Sequence, residues 1–547
     1  MADVYESQGS TIPDSFSYDG DQRGLGGPDG DFARLLPVSP LARTAFNDIA
    51  HQIHTQPHSF SHARRFIHYA PPHADDGDKN SQDGSSVHSI ARNEYCGYYR
   101  LNLDIPPKNI GLGWVAGSSR RNLLDDEVDL VLTPQPGQHK VRGRHVRFSH
   151  NTNTGVLMVY ADNWGVLIDG KKRIQNTAFA ACEDTGLMLG DLGYTIEFTG
   201  LDPQIYQKQL NDIYRQRQSN FSSIPHFLPP TPTPSLRASG YYKYFVYPTT
   251  AGGTYSTVSR VCNKDTGELF ILKKMKRNSH NLAAIAAEVD ILKRLNHLLF
   301  WLIRSCEQYN VCQLVDTLQY ERTHSFRHEE YDDVGLILTP FAPSLSLNVP
   351  HHQPASWVVN ISRQCFAGLA YVHRQGLMHR DIKLSNIGLV VNNNSSQPPR
   401  IVLLDFGHAT RNLTSTDHMK GTVRYLAPEV TALKRNTKTY LNPYTNKVDI
   451  WALGICIYEL LYESLIHWSC VDDESSDEGW IRGKIGLIRS EEKDNYVLRL
   501  VMGATIVWNP SSRSSADDVL ALFGGETVVV EGKMGIAATA PKRRHFD

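Results

Sequence analysis

The sequence predicts an α+β chain of more than one domain, and three observations predict it. Its 547 residues exceed the size at which a single core usually stops growing. From about residue 95 to 202, short alternating apolar segments are separated by turn residues, the pattern of a small all-β sandwich. From Tyr241 to about Leu522 the pattern is strands first and then helices.

Composition narrows the functional classes. The chain is 41% hydrophobic and 21% charged, enough for ordinary soluble cores. A formal net charge of −1 supplies no global field toward nucleic acid or an anionic membrane, so no direct nucleic-acid partner is expected. The start, Met1-Ala2-Asp3-Val4-Tyr5-Glu6, lacks the basic-then-apolar order of a signal peptide. The nearest approach to a membrane span, Ile450 to Leu461, is broken by Glu459 and reads as a buried helix. Eight scattered cysteines without a C-x-x-C pair point to reduced thiols, hence to cytoplasm or nucleus.

The elements follow in chain order. Residues 1–90 are rich in Gly, Ser, Asp, His and Pro and read mostly as a disordered tail, with a short helix near Leu41 to Ile53. His51, His54, His58, His62, His68 and His73 lack a compact ligand spacing and read as solvated side chains. In the sandwich, Val128–Leu132, His145–Phe148 and Val156–Tyr160 read as strands, with turns at Asn163, Gly165 and Asp169-Gly170. Residues 203–240 read as a polar helix (203–217) and a linker. The run Pro225 to Pro234 favours extended polyproline geometry, and Thr231 and Thr233 within it are open to phosphorylation or proline recognition as the alternative reading. Residues 523–547 read as a flexible tail carrying Lys542-Arg543-Arg544, a short basic run that reads as solvated, with nuclear import as the alternative reading.

Three motifs carry the chemistry. His379-Arg380-Asp381-Ile382-Lys383-Leu384-Ser385-Asn386 is followed by Asp405-Phe406-Gly407 and then by Ala427-Pro428-Glu429. Their order and spacing resemble the eukaryotic-type serine/threonine protein kinases. The resemblance implies a bilobal kinase fold over residues 241–522 that moves the γ-phosphate of Mg-ATP to Ser/Thr hydroxyls of protein substrates. Such a transfer needs phosphates and metal held in place and an acceptor hydroxyl aimed in line.

What the resemblance implies residue by residue is specific. Ala251-Gly252-Gly253-Thr254-Tyr255-Ser256-Thr257-Val258 stands for the glycine-rich phosphate loop, with Ala251 and Ser256 replacing two glycines. Lys273 stands for the ATP lysine and Glu288 for its helix partner. Leu338 would be the gatekeeper, with Thr339 to Ala342 as the hinge. Asp381 is the candidate base, Lys383 the stabiliser of the transferring phosphate, and Asn386 and Asp405 the magnesium ligands. Lys383 and Gly421-Thr422 agree with the Ser/Thr class. Asp449 and the pair Arg513 and Glu429 take structural roles. The stretches after His297 and from Tyr320 to Asp333 read as surface insertions. Arg380 implies control by an activation-loop phosphate, with Thr410, Thr414, Ser415 and Thr416 as candidates.

Gly113 to Gly200 resembles a divergent forkhead-associated (FHA) domain, a phosphothreonine reader. Gly117-Ser118, Arg142-Gly143-Arg144-His145, Ile168-Asp169-Gly170 and Gly190-Asp191 stand for its motifs, with Arg120 and Arg121 nearby. Arg142 replaces the family's serine, and Arg142 or Arg144 is left to pair with phosphate. His145, Gly170 and Gly190 would serve the fold. Two rivals stay open: a pseudokinase scaffold, motivated by Ala251 and Ser256, and a phosphopeptide adaptor.

Overall fold

The computed structural model describes residues 30–70, 94–119, 128–151, 154–217, 243–252, 256–278, 280–296, 310–319, 333–348, 354–390, 400–434, 442–462 and 496–524. They fall into two compact units. The first holds the described residues up to Arg277 and from Val315 to Phe341; the second holds those from Asn278 to Leu314, from Ala342 to Val390 and from residue 400 onward.

The first unit opens with β1 (Asp31–Pro37), helix α1 (Pro40–Thr55), β2 (Ile67–Ala70), β3 (Cys96–Asn102), β4 (Trp114–Ser118) and β5 (Leu130–Thr133). It continues through β6 (Val146–His150), β7 (Leu157–Ala161), β8 (Val166–Ile168), β9 (Lys172–Ile174), β10 (Thr177–Ala180), β11 (Thr185–Leu189), β12 (Leu192–Phe198) and α2 (Pro203–Arg217). Two sheets result, in the orders β2-β3-β1-β12-β11-β8-β9 and β10-β7-β6-β4-β5. They share one apolar core with α1 and α2. The turn after β8 carries Asp169 and Gly170 at φ of 48° and 65°, where Asp is tolerated and Gly is unstrained.

The sandwich begins earlier than the sequence predicts. Residues 31–70 belong to it, and the disordered reading of 1–90 is corrected there. Strand β1 pairs with β12 on one side and β3 on the other, so it is central and buried on both faces. It therefore lacks the alternation that marks a half-buried strand, and its polar neighbours in sequence mask it. Helix α1 buries Ala42, Ala45, Phe46, Ile49, Ala50 and Ile53, the spacing of one helical face. Ser39 caps it, accepting from the Ala42 N–H at 3.2 Å, with Pro40 at the first helical position. His62 is no solvated tail residue either, since its Nε2 lies 2.8 Å from Oδ1 of the buried Asp129. Helix α2 spans the residues read as a polar helix, and its Tyr206, Leu210, Ile213 and Tyr214 enter the sandwich core. The proline-rich run and residues 525–547 lie outside the described residues.

Five further strands form one sheet: β13 (Tyr244–Gly252), β14 (Ser256–Asn263), β15 (Leu269–Met275), β16 (Gln313–Gln319) and β17 (Val334–Thr339), in the order β13-β14-β15-β17-β16. Val246, Val261, Leu272 and Ile337 anchor its core.

The second unit is mainly helical. Its elements include α3 (Leu282–Leu295), the short α4 (Leu345–Asn348), α5 (Ala355–Arg374), the hairpin β18 (Ile387–Val390) and β19 (Arg400–Leu403), α6 (Pro428–Lys434) and α7 (Lys447–Tyr462). Helices at Tyr496–Thr505 and Ala516–Leu522 follow, the last begun by a capping box of Ser515 and Asp518. Helix α7 is buried almost all round, from Val448 to Tyr458, as the uncharged run predicts. Among the described residues no helix is long and apolar enough to cross a membrane.

Candidate active site

The segment from His379 to Asn386 leaves α5 and enters β18 as an irregular loop. Irregular backbone needs partners for its N–H groups, and the buried Asp449 supplies them. Its carboxylate accepts from the His379 N–H at 2.9 Å, the Arg380 N–H at 2.7 Å and sits 2.9 Å from His373 Nε2. Burial opposes ionisation of Asp449, but the His373 contact and the His379 N–H outweigh it, and its pKa lies below the usual carboxylate value. Two loop residues, Arg380 (φ 66°) and Asp405 (φ 58°), sit in the left-handed region, which non-glycine residues adopt only when their surroundings impose it.

Asp381 is buried and ringed by donors. Thr422 Oγ1 donates to its Oδ1 at 2.8 Å, while Lys383 Nζ and Asn386 Nδ2 donate to its Oδ2 at 2.9 and 3.0 Å. Lys383 Nζ also donates to Thr422 Oγ1 at 2.9 Å, which closes a small polar ring. Asn386 Nδ2 donates in addition to the Asp381 carbonyl at 2.8 Å, so the amide is oriented and only its oxygen suits a cation. A carboxylate fixed this way accepts a proton at one defined spot. His379 and Phe406 hold the loop from behind: their rings lie 4.7 Å apart, and the His379 ring nitrogen Nε2 is 3.0 Å from the Leu404 carbonyl.

Asp405 is exposed and accepts from the Gly407 N–H at 3.3 Å. Asn386 and Asp405 therefore offer an amide and a carboxylate oxygen, the donor chemistry a magnesium ion prefers. The other predicted residues are distributed over both units. In the first, Ala251 pairs with Val258 and Gly252 with Thr257 in the β13–β14 hairpin, and Ser256 opens β14. Gly253, Thr254 and Tyr255 lie outside the described residues. Lys273 is central in β15, opposite Val258 and Leu336, and the buried Leu338, next to the last residue of β17, lies opposite Ile271. In the second unit, Glu288 is buried on α3 at 5% exposure, beside Ile285, Ile291 and Leu292.

Three residues that the sequence reading passed over belong to the same network. Asp417 Oδ2 lies 3.7 Å from the Arg380 guanidinium, whose Nε also donates to the His408 carbonyl at 2.7 Å. Tyr444 OH donates to the Asp417 carbonyl at 2.7 Å. His408 Nδ1 accepts from the Gly421 N–H at 3.4 Å and is 3.8 Å from Asp381 Oδ2. Burial lowers the His408 pKa against the pull of Asp381, which favours the neutral ring that this acceptor role needs. The position next to Asp405-Phe406-Gly407 was a signal for His408. Asp417 and Tyr444 meet Arg380 only through the fold. Of the four predicted phosphorylation sites, Thr414 and Thr416 are exposed, while Thr410 and Ser415 exchange backbone hydrogen bonds with Met378 and Tyr444. Arg513 is fully buried and pairs with both oxygens of Glu429 at 2.8 and 3.1 Å.

In the sandwich, a Cβ at Gly117 would fall 1.7 Å from the Gly143 carbonyl, so the strand requires glycine there. Arg142 and Arg144 are exposed, with the Arg142 guanidinium 5.1 Å from the Trp164 ring. His145 is buried and its pKa is lowered mainly by burial; its Nδ1 accepts from the Arg142 N–H at 3.3 Å. Gly190, at φ 64°, packs against the His139 carbonyl. Arg120 and Arg121 lie outside the described residues.

Comparison with known proteins bears on one part of the chain. Residues 251–522 match the protein kinase domain family. Similar curated proteins include the Protein kinase US3 homolog of Gallid herpesvirus 2 (strain Chicken/Md5/ATCC VR-987), 25% identical over 39% of this chain and 48% of that protein. The CTD kinase subunit alpha of Schizosaccharomyces pombe is 30% identical over 42% of this chain and 36% of its own length. The chain thus spans no more than half the length of these relatives. A solved structure, of Rad53 1-466 in complex with AMP-PNP, overlaps 74% of this chain and 89% of its own at 19% identity, with a TM-score of 0.44.

Proposed function

We propose, for a chain whose residues 251–522 are a protein kinase domain, that it transfers the γ-phosphate of ATP to serine or threonine hydroxyls of protein substrates. The observation that carries the reading is the closed ring of Asp381, Lys383, Thr422 and Asn386. Asp381 receives the proton of the attacking hydroxyl. Lys383, bonded to both Asp381 and Thr422, places positive charge beside the acceptor position and offsets charge on the transferring group. Asn386 and Asp405 would hold Mg2+, which neutralises phosphate charge when bound. Lys273 and the β13–β14 hairpin would hold the phosphates, with Val258 and Leu338 against the base. Ala251 and Ser256 are both small replacements for glycine, which disfavours the pseudokinase reading.

The sandwich would act as an FHA-like reader that brings phosphothreonine proteins to the kinase. The exposed Arg142 and Arg144 support this, because guanidinium suits bidentate phosphate contacts. Cytoplasm or nucleus is the compartment that fits eight scattered cysteines without a C-x-x-C pair.

The deciding experiment incubates the full chain with labelled ATP, magnesium and a basic Ser/Thr substrate, beside Asp381→Ala and Lys273→Met. Transfer by the unmutated chain alone is expected. No transfer and no ATP binding would turn the reading to the pseudokinase scaffold. Phosphothreonine-peptide binding lost on Arg142→Ala tests the reader role.

A further inference from the structure

We infer that the sandwich has a second role: it is the fixed support of the β14–β15 hairpin, and Thr154, Met158 and Ala180 are positioning residues for the strand that carries Lys273. For its activity arm this rests on the reading of Lys273 given above; its structural arm does not.

The turn between β14 and β15, Asn263 to Glu268, is tightly built. Asn263 Oδ1 accepts from the Asp265 and Thr266 N–H groups at 2.8 and 3.2 Å, and Gly267 takes φ +70°. A turn of this kind normally points its carbonyls to water. Here three of them meet the sandwich. Ala180 N–H, at the end of the edge strand β10, donates to the Lys264 carbonyl at 2.6 Å. Asn151 Nδ2 donates to the Thr266 carbonyl at 3.0 Å, and Thr154 Oγ1 to the Gly267 carbonyl at 2.8 Å. Lys172 forms an ion pair with Asp265 at the rim.

Beneath these bonds lies a shared apolar cluster. Val156, Met158 and Ala180 of the sandwich pack with Tyr247 and Cys262 of the kinase sheet, all buried. The fit is close enough that a Cβ on Gly267 would lie 2.6 Å from Met158 Sδ. Phe179 meets Phe245 edge to face, with ring centroids 5.9 Å apart at 80°. A module tethered only by a linker would show neither turn carbonyls paired with the sandwich nor a dry cluster, because a carbonyl buried there without a partner is costly.

The register transmits this hold. From Cys262↔Leu269 at the turn, the β14–β15 ladder runs without a bulge to Val258↔Lys273. Fixing the turn therefore fixes the strand position of Lys273 and of the phosphate-loop arm that ends in Val258. Freed from the sandwich, the turn would fray and the ladder would sample more positions.

The test uses the full chain with Met158→Ala and, separately, Thr154→Val. Amide hydrogen exchange is followed over residues 258–275 and over 185–198, the latter reporting whether the sandwich stays folded. The expected result is faster exchange at 258–275 by about tenfold, with 185–198 still protected, and a severalfold rise in the KM for ATP at nearly constant kcat. Unchanged exchange at 258–275 in both variants overturns the support role. So does a turn that already exchanges freely in the unmutated chain. Faster exchange with an unmoved KM for ATP overturns the positioning role. If the unmutated chain transfers no phosphate, the kinase reading fails, while exchange still decides the support role.

Discussion

The catalytic segment and the sandwich core treat buried polar groups in opposite ways. In the segment, Asp381 has three side-chain donors and Asp449 two backbone donors and a histidine. In the sandwich, His150 Nε2, Trp114 Nε1 and Tyr194 OH are buried with no hydrogen-bond partner among the described residues. His150 instead sits among the rings of Phe32, Trp114, Tyr206 and Tyr214. The difference teaches what each region is for. The segment fixes its buried charge in place with a closed network, as the proposed proton transfer requires. A packing core can leave a polar atom unpaired where the group stays neutral, while the buried carboxylate of Asp129 in the same sandwich is paired.

The largest effect should come from breaking the charged network at its centre. Asp381→Asn keeps shape and most hydrogen bonds but removes the proposed proton acceptor, so phosphoryl transfer should fall by roughly 10²–10⁴-fold while the melting temperature moves little. Steady-state kinetics beside thermal unfolding checks this. Next is Arg513→Ala, which leaves Glu429 without the fully buried partner that holds both its oxygens. A loss of about 3–5 kcal/mol in unfolding free energy is expected, read from urea midpoints.

The neutral histidine of the sandwich gives a pH signature. Burial lowers the His150 pKa from 6.5 to about 3. The folded state therefore binds fewer protons than the unfolded state between those values, and stability must rise with pH across that window. Acidification from pH 7 to about pH 4.5 should cost on the order of a few kcal/mol through this residue. His150→Phe should flatten that limb of the stability curve; an unchanged acid limb would mean the ring titrates freely.

The smallest effect sharpens the segment itself. The sequence implies that a phosphate neutralises Arg380, whereas the Asp417 carboxylate already lies 3.7 Å from it. Asp417 is partly exposed, so Asp417→Asn should lower kcat by only about two- to fivefold, about 1 kcal/mol or less. Thr414→Ala with Thr416→Ala should leave kcat closer to the unmutated value than Asp417→Asn does. The reverse order would restore the phosphate reading.

The sequence determined the kinase motifs. His379 to Asn386, Asp405-Phe406-Gly407 and Ala427-Pro428-Glu429 are each local, because residues that share a short loop keep their spacing in the chain. It also determined α7, whose uncharged run admits no other place than a core, and the alternating strands after residue 128. The tertiary structure decided the rest. Strand β1 was illegible because a central strand shows no alternation. Asp417 and Tyr444 became partners of Arg380 only when the intervening chain folded back on itself. The seat of the β14–β15 turn on Met158, Thr154 and Ala180 is a contact across more than eighty residues, written in no motif, since packing surfaces are chosen by shape and burial and not by spacing.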